Sequence, residues 1–244
     1  MSSRKPSPRQ GSLSSRCAFT VTELLFVTAA VALLLLTAAP LLGNSKLRSD
    51  RLVCGNNLRQ IGVAFQTWAD SHEDRFPWVV SQGNGGTSLP NTPLMDNAWY
   101  HYLPLSNTLS SPSLLACPSD LSKVATKWDF DSAGGFLNSA YRNNSLSYLV
   151  GCHAEIRLPQ SVLAGDRNII PDNYNAGCAL GFRFAIILNA RSSLAKWNST
   201  IMHGASGNVL AGGGSVAELS SLGLQEFVKQ VNTDNGSEHY LLPR

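Results

Sequence analysis

Between Phe19 and Leu42 lie 24 consecutive residues whose only charge is Glu23. A helix of that length, at about 1.5 Å per residue, matches a bilayer hydrocarbon core of roughly 30 Å. The run predicts a single membrane-spanning helix over 19–42. The low overall charge, 14% of residues against 43% hydrophobic, follows from it. The positive charge is equally local. Arg4, Lys5, Arg9 and Arg16 precede the run with no acid among them, whereas the remainder carries 15 basic and 16 acidic side chains. A basic leader before an apolar helix stays on the cytoplasmic side, so everything after residue 42 is expected outside. The charge balance of the exported part gives no footprint for nucleic acid. The run is too long, and leads too directly into a patterned helix, for a cleaved secretory signal.

A carboxylate inside a span costs about 2.5–3.5 kcal/mol on insertion scales, so Glu23 needs a partner, a watery setting or a place at the interface. Arg16-Cys17-Ala18-Phe19-Thr20-Val21-Thr22-Glu23-Leu24-Leu25 resembles the processing site of type IV prepilins and type II secretion pseudopilins. The resemblance implies a prepilin leader over 1–18, cleavage between Ala18 and Phe19 by a prepilin peptidase/N-methyltransferase, and N-methylation of Phe19. It also implies an assembly role for Glu23, facing the positive N-terminus of a neighbouring subunit within the lipid. Ala18 departs from the glycine usual before the cut. Pro40 stands where the family tends to have proline. Proline removes a helical hydrogen bond and Gly43 lowers propensity just after it, so a kink or melted segment is expected there.

Leu47, Cys54, Leu58, Ile61, Phe65 and Trp68 share one helical face, with Arg48, Asp50, Arg51, Arg59, Gln60, Gln66 and Asp70 elsewhere. This predicts an amphipathic stalk helix over 43–75 that packs on an exported α+β domain over 76–244. Residues 81–93 read as a loop. Short strands are expected at 146–150, 161–164, 182–188, 208–211 and 215–219, the last two flanking Gly212-Gly213-Gly214 as a hairpin. A short amphipathic helix is expected over 222–231. "CGNNLRQIGVAFQTWADSHEDRFPW", "LLACPSD", "SYLVG" and "SVLAGDRNI" are similar to the stalk, cysteine motif and core strands of large pseudopilin-like proteins. His203 and, after nine intervening residues, Gly213-Gly214 resemble their closing His, nine residues, Asp-Gly hairpin, with Gly213 in place of the aspartate. The fold implied is pilin-like: a long N-terminal transmembrane and stalk helix on an antiparallel sheet.

Cys54, Cys117, Cys152 and Cys178 are candidates for disulfides in an oxidising compartment, and four cysteines allow three pairings. Cys54 with Cys117 and Cys152 with Cys178 are the preferred pairs, beside the alternative of buried thiols. Zinc ligation by Cys152-His153, Cys178 and His203 lacks metal-site spacing. Calcium at Asp166, Asp172 and Asn173 lacks a loop pattern. No metal and no cofactor is expected. No hydrolase motif is present, and His203 near Ser206 and Ser215 reads as a hairpin hydrogen bonder, so no catalytic residues and no enzyme activity are expected. Trp78, Trp99, Tyr100 and Tyr102 look exposed enough for a glycan surface, though core packing is the commoner fate.

The resemblance implies a filament subunit of a type II secretion pseudopilus or type IV pilus. Its partners would be the peptidase, other pilin or pseudopilin subunits, the inner-membrane assembly platform and the lipid bilayer. The protein would sit in the bacterial inner membrane as a single-pass protein. The competing reading is a membrane-anchored binding module, for polysaccharide among other ligands.

Overall fold

The computed structural model describes residues 20–120, 123–171, 173–189, 195–231 and 237–243. The chain divides into two compact units, Met1–Ser45 and Lys46–Arg244, with helix α1 (Val21–Asp70) contributing to both. Within the first unit, the described side chains of α1 are exposed from Val21 to Leu36, and the helix continues through Pro40 and Gly43. Among the described residues no helix is long and apolar enough to cross a membrane. The described apolar side chains stop at Leu36, short of the about 20 residues that a span needs. The span expected over 19–42 lies partly outside the described residues.

The second unit has an α+β fold. Its main sheet has seven strands, all antiparallel, formed by β1 (Tyr148–Gly151), β2 (Val162–Asp166), β4 (Asn173–Ala176), β5 (Ala185–Asn189), β7 (Ser206–Ala211), β8 (Val216–Ser220) and β9 (Ser237–Leu241). Their order is β4-β5-β9-β1-β2-β7-β8, and β3 (Ile169–Ile170) with β6 (Lys196–Trp197) makes a separate two-stranded pair. The last strand in the chain therefore lies in the middle of the sheet, bonded to β5 on one side and β1 on the other.

Strand alternation sends side chains to two cores. Tyr148, Val150, Leu210 and Leu241 join the core built with α1, while Leu149, Val209 and Tyr240 join a second core beneath helix α3 (Ser221–Gln230). Ser220 caps α3, its hydroxyl accepting from the Gly223 amide. On the other face the predicted stripe is buried: Cys54, Leu58, Ile61 and Phe65 are fully enclosed, joined by Ala64 and Ala69. Gly62 lets the helix approach closely, because a Cβ there would stand 2.9 Å from the Leu210 side chain.

The helix ends at Asp70, five residues before the expected end. The amides of His72 and Asp74 turn back to the Ala69 carbonyl, and Glu73 and Asp74 take positive φ of 61° and 57°, which stops propagation. The following segment, short turns around the five-residue helix α2 (Ala98–Tyr102), supplies the rest of the core: Phe76, Trp78, Met95, Tyr102 and Leu105 are all enclosed. Strand β5 begins at Ala185 rather than 182, and Phe182 instead enters the core from the preceding loop.

The hairpin expected at Gly212-Gly213-Gly214 forms between β7 and β8. Gly214 takes φ 85°, and its amide donates to the Ala211 carbonyl. A side chain at 213 would meet Pro159 at 2.9 Å, so the aspartate of the resembled motif has little room at Gly213.

Candidate functional site

Ala18 and Phe19 lie outside the described residues. From Thr20 onward the helix start is a reciprocal cap. The Thr20 amide and hydroxyl donate to Glu23 Oε2 at 2.9 and 2.8 Å, and the Glu23 amide donates to Thr20 Oγ1 at 3.2 Å. This is the capping box of Thr-x-x-Glu, which satisfies amides that a helix start leaves unpaired. The motif is legible in the sequence as Thr20-Val21-Thr22-Glu23, and sequence reasoning missed it. Beyond the cap the helix is apolar on every side, with Leu24 60% and Leu36 74% exposed.

In the second unit, Cys54 on α1 is disulfide-bonded to Cys117, as expected. His203 sits against that bridge. Its Nε2 is 3.3 Å from Cys117 Sγ and 3.5 Å from Asp166 Oδ2. The same carboxylate oxygen accepts from the amide and Nδ2 of Asn208, at 2.7 and 3.1 Å. Burial pushes the Asp166 carboxyl up to about 7, against the pull of the two Asn208 hydrogen bonds. Burial pushes the His203 imidazole down to about 4, with help from the Arg51 charge. The Ser206 hydroxyl donates to the His203 carbonyl at 3.4 Å. A cleft of about 680 Å³ opens beside the histidine, lined by Asp120, Arg167, Thr200 and Met202 among others. Arg167 grips Asp120 in a two-pronged pair, both contacts at 2.8 Å, which occupies the cation.

His203 is thus separated from the other residues considered for zinc. Instead the fold gathers His153, Cys178 and His239, whose ligand atoms all lie within 4.8 Å of one another. His153 Nε2 is 2.8 Å from Cys178 Sγ, and the two imidazole rings are 4.8 Å apart between centroids. Cys152 and Cys178 are thiols, so the second expected bridge is not formed. His239 was invisible to spacing arguments because it comes from β9, more than 60 residues beyond Cys178 in sequence, and only the pairing of β9 with β1 brings it beside His153.

The calcium set considered in the sequence falls partly on undescribed residues. Asp172 lies outside the described residues, and Asp166 is fully buried and committed to Asn208. The four aromatics considered for a glycan surface are buried: Trp78, Trp99, Tyr100 and Tyr102 are at most 7% exposed. Phe65 packs edge-on against Trp78 and tilted against Tyr102, which makes these rings core.

Compared with family models, characterised proteins and solved structures, the chain matches none of them.

Proposed function

We propose that this chain is a prepilin-like structural subunit, trimmed between Ala18 and Phe19, methylated on Phe19, and assembled through α1 into a pseudopilus or pilus-like filament. One observation carries the reading: a helix that is apolar all round and uncovered along Val21–Leu36 begins on the carboxylate of Glu23. A helix hydrophobic on all sides belongs inside a membrane or a bundle. The sequence carries the apolar run on to Leu42, long enough for a span. The subunit would wait in the inner membrane with its second unit outside, then leave the bilayer as neighbouring α1 helices replace lipid. Glu23 would face the amine of an adjacent subunit's Phe19 there. The disulfide from Cys54 to Cys117 supports the same reading, because it ties the helix to the domain that the filament would carry. The binding-module alternative loses its main support, since its aromatic residues are core.

The capping box gives Glu23 a second duty, and the two duties separate in one experiment. Glu23→Gln keeps an amide oxygen for the Thr20 cap but removes the charge. The full-length variant should accumulate in the membrane at normal levels and fail to enter sheared filaments. Normal incorporation would leave only the cap and refute the ion pair.

A further inference from the structure

We propose that His153, Cys178 and His239 form a binding site for a transition-metal ion of the zinc class, with the three side chains as ligands and the fourth position open to solvent. Two imidazoles and one thiolate make a borderline nitrogen and sulfur set, suited to zinc-like ions and unsuited to calcium or magnesium, which take oxygen.

The three ligands come from separate segments. His239 is held in β9, opposite Ile187 of β5. His153 follows β1, where the Cys152 amide extends the ladder by donating to the His239 carbonyl at 2.9 Å. Cys178 begins a tight loop after β4, closed by its own amide on the Phe182 carbonyl and by the Gly181 amide on its carbonyl. One ligand is therefore fixed in a central strand and two sit on turns, which lets them adjust around an ion. Metal bonds of about 2.0–2.3 Å require ligand atoms roughly 3.5 Å apart. The observed separations bracket that value, from 2.8 Å to a limit of 4.8 Å.

The orientation of His239 is the second observation. Its ring hydrogen-bonds the Gly177 backbone, while Nδ1 is buried without a partner. The bond to Gly177 therefore uses Nε2–H and leaves the Nδ1 lone pair facing inward. A metal-ligating histidine has this arrangement, one nitrogen on the ion and the other on a backbone carbonyl. On binding, the Cys178 S–H proton passes to solvent as the metal–sulfur bond forms, which makes affinity rise with pH.

The test uses the full-length protein, purified in detergent without reductant so that the Cys54–Cys117 bridge persists, and dialysed against a chelator. Titration with Co²⁺ should give visible d–d bands and a thiolate-to-cobalt charge-transfer band that saturate at one equivalent, and Zn²⁺ should bleach both. Cys178→Ser should lose the charge-transfer band, and His239→Ala should bind roughly tenfold more weakly or worse. His203→Ala, at the other histidine cluster, should bind normally. Because the Cys178 loop is part of the fold, the melting temperature of each apo variant is compared as well: Zn²⁺ should raise that of the wild type and leave Cys178→Ser unmoved. Absence of the bands in the wild type, their survival in Cys178→Ser, or a Cys152–Cys178 disulfide in the isolated protein would each overturn the proposal.

Discussion

Cys54 and Cys117, 63 residues apart, are joined where the stripe of α1 meets the loop that precedes β1. Closing a loop of that length removes enough unfolded-chain entropy to stabilise the fold by about 4 kcal/mol. The double variant Cys54→Ser, Cys117→Ala is expected to lower the stability of the second unit by about that amount in thermal or urea unfolding. A change below about 1 kcal/mol would mean that the stripe alone clamps the helix.

His101 is fully enclosed, Nδ1 2.7 Å from Thr87 Oγ1 and Nε2 2.8 Å from the Met95 carbonyl. Burial pushes it down to about 4 from the usual 6.5. The unfolded chain therefore binds a proton between those values that the folded chain refuses, so stability rises with pH across this window and falls on acidification. One such group contributes a slope of about 1.4 kcal/mol per pH unit. His101→Gln should flatten the pH dependence of unfolding between about pH 4 and 6.5 by close to one proton. An unchanged slope would assign the acid sensitivity to the other lowered histidines.

Asp166 titrates in the opposite sense. Its raised value, about 7 against 3.8, means that the folded state keeps a proton that the unfolded state releases, so its contribution is lost as pH rises through 7. Asp166→Asn retains an oxygen for the Asn208 amide and cannot ionise. The variant should gain on the wild type as pH goes from 4 to 8, with His203, lowered in both proteins, common to the comparison. Asp166→Ala should instead lose about 1–3 kcal/mol at every pH, because the Asn208 amide is left buried without an acceptor. Parallel stability curves for the wild type and Asp166→Asn would contradict the raised carboxyl.

Thr20 offers a smaller check. Thr20→Ala removes the hydroxyl half of the cap and should cost about 1 kcal/mol of local helix stability, read as faster amide exchange in the first turn of α1. Exchange unchanged from the wild type would show that the cap does not hold the helix start.

The parts legible in the sequence were those with a local signal. The stripe from Cys54 to Phe65 and α3 carry helical spacing, β1, β2 and β7 carry short apolar runs, the β7–β8 hairpin carries its glycines, and each appears within a few residues of its expected place. Strand β9 carries none: Ser237-Glu238-His239-Tyr240-Leu241 is polar at three of five positions, yet neighbours on both sides complete its hydrogen bonds. Its central place depends on pairing between distant segments, which local pattern does not encode. The His153, Cys178 and His239 cluster was hidden for the same reason. The aromatics of 78–102 took the commoner fate of core packing, and a glycan surface stayed open as an alternative because they sit in short turns, where no periodicity marks which rings face inward.

The central claim is that Glu23 meets the new amine of a trimmed neighbour, and that requires the trimming itself. Intact-mass analysis of the protein extracted from cell membranes tests it most directly. The account predicts a mature chain beginning at Phe19, lighter by residues 1–18 and heavier by one methyl group. A population that begins entirely at Met1 would contradict it.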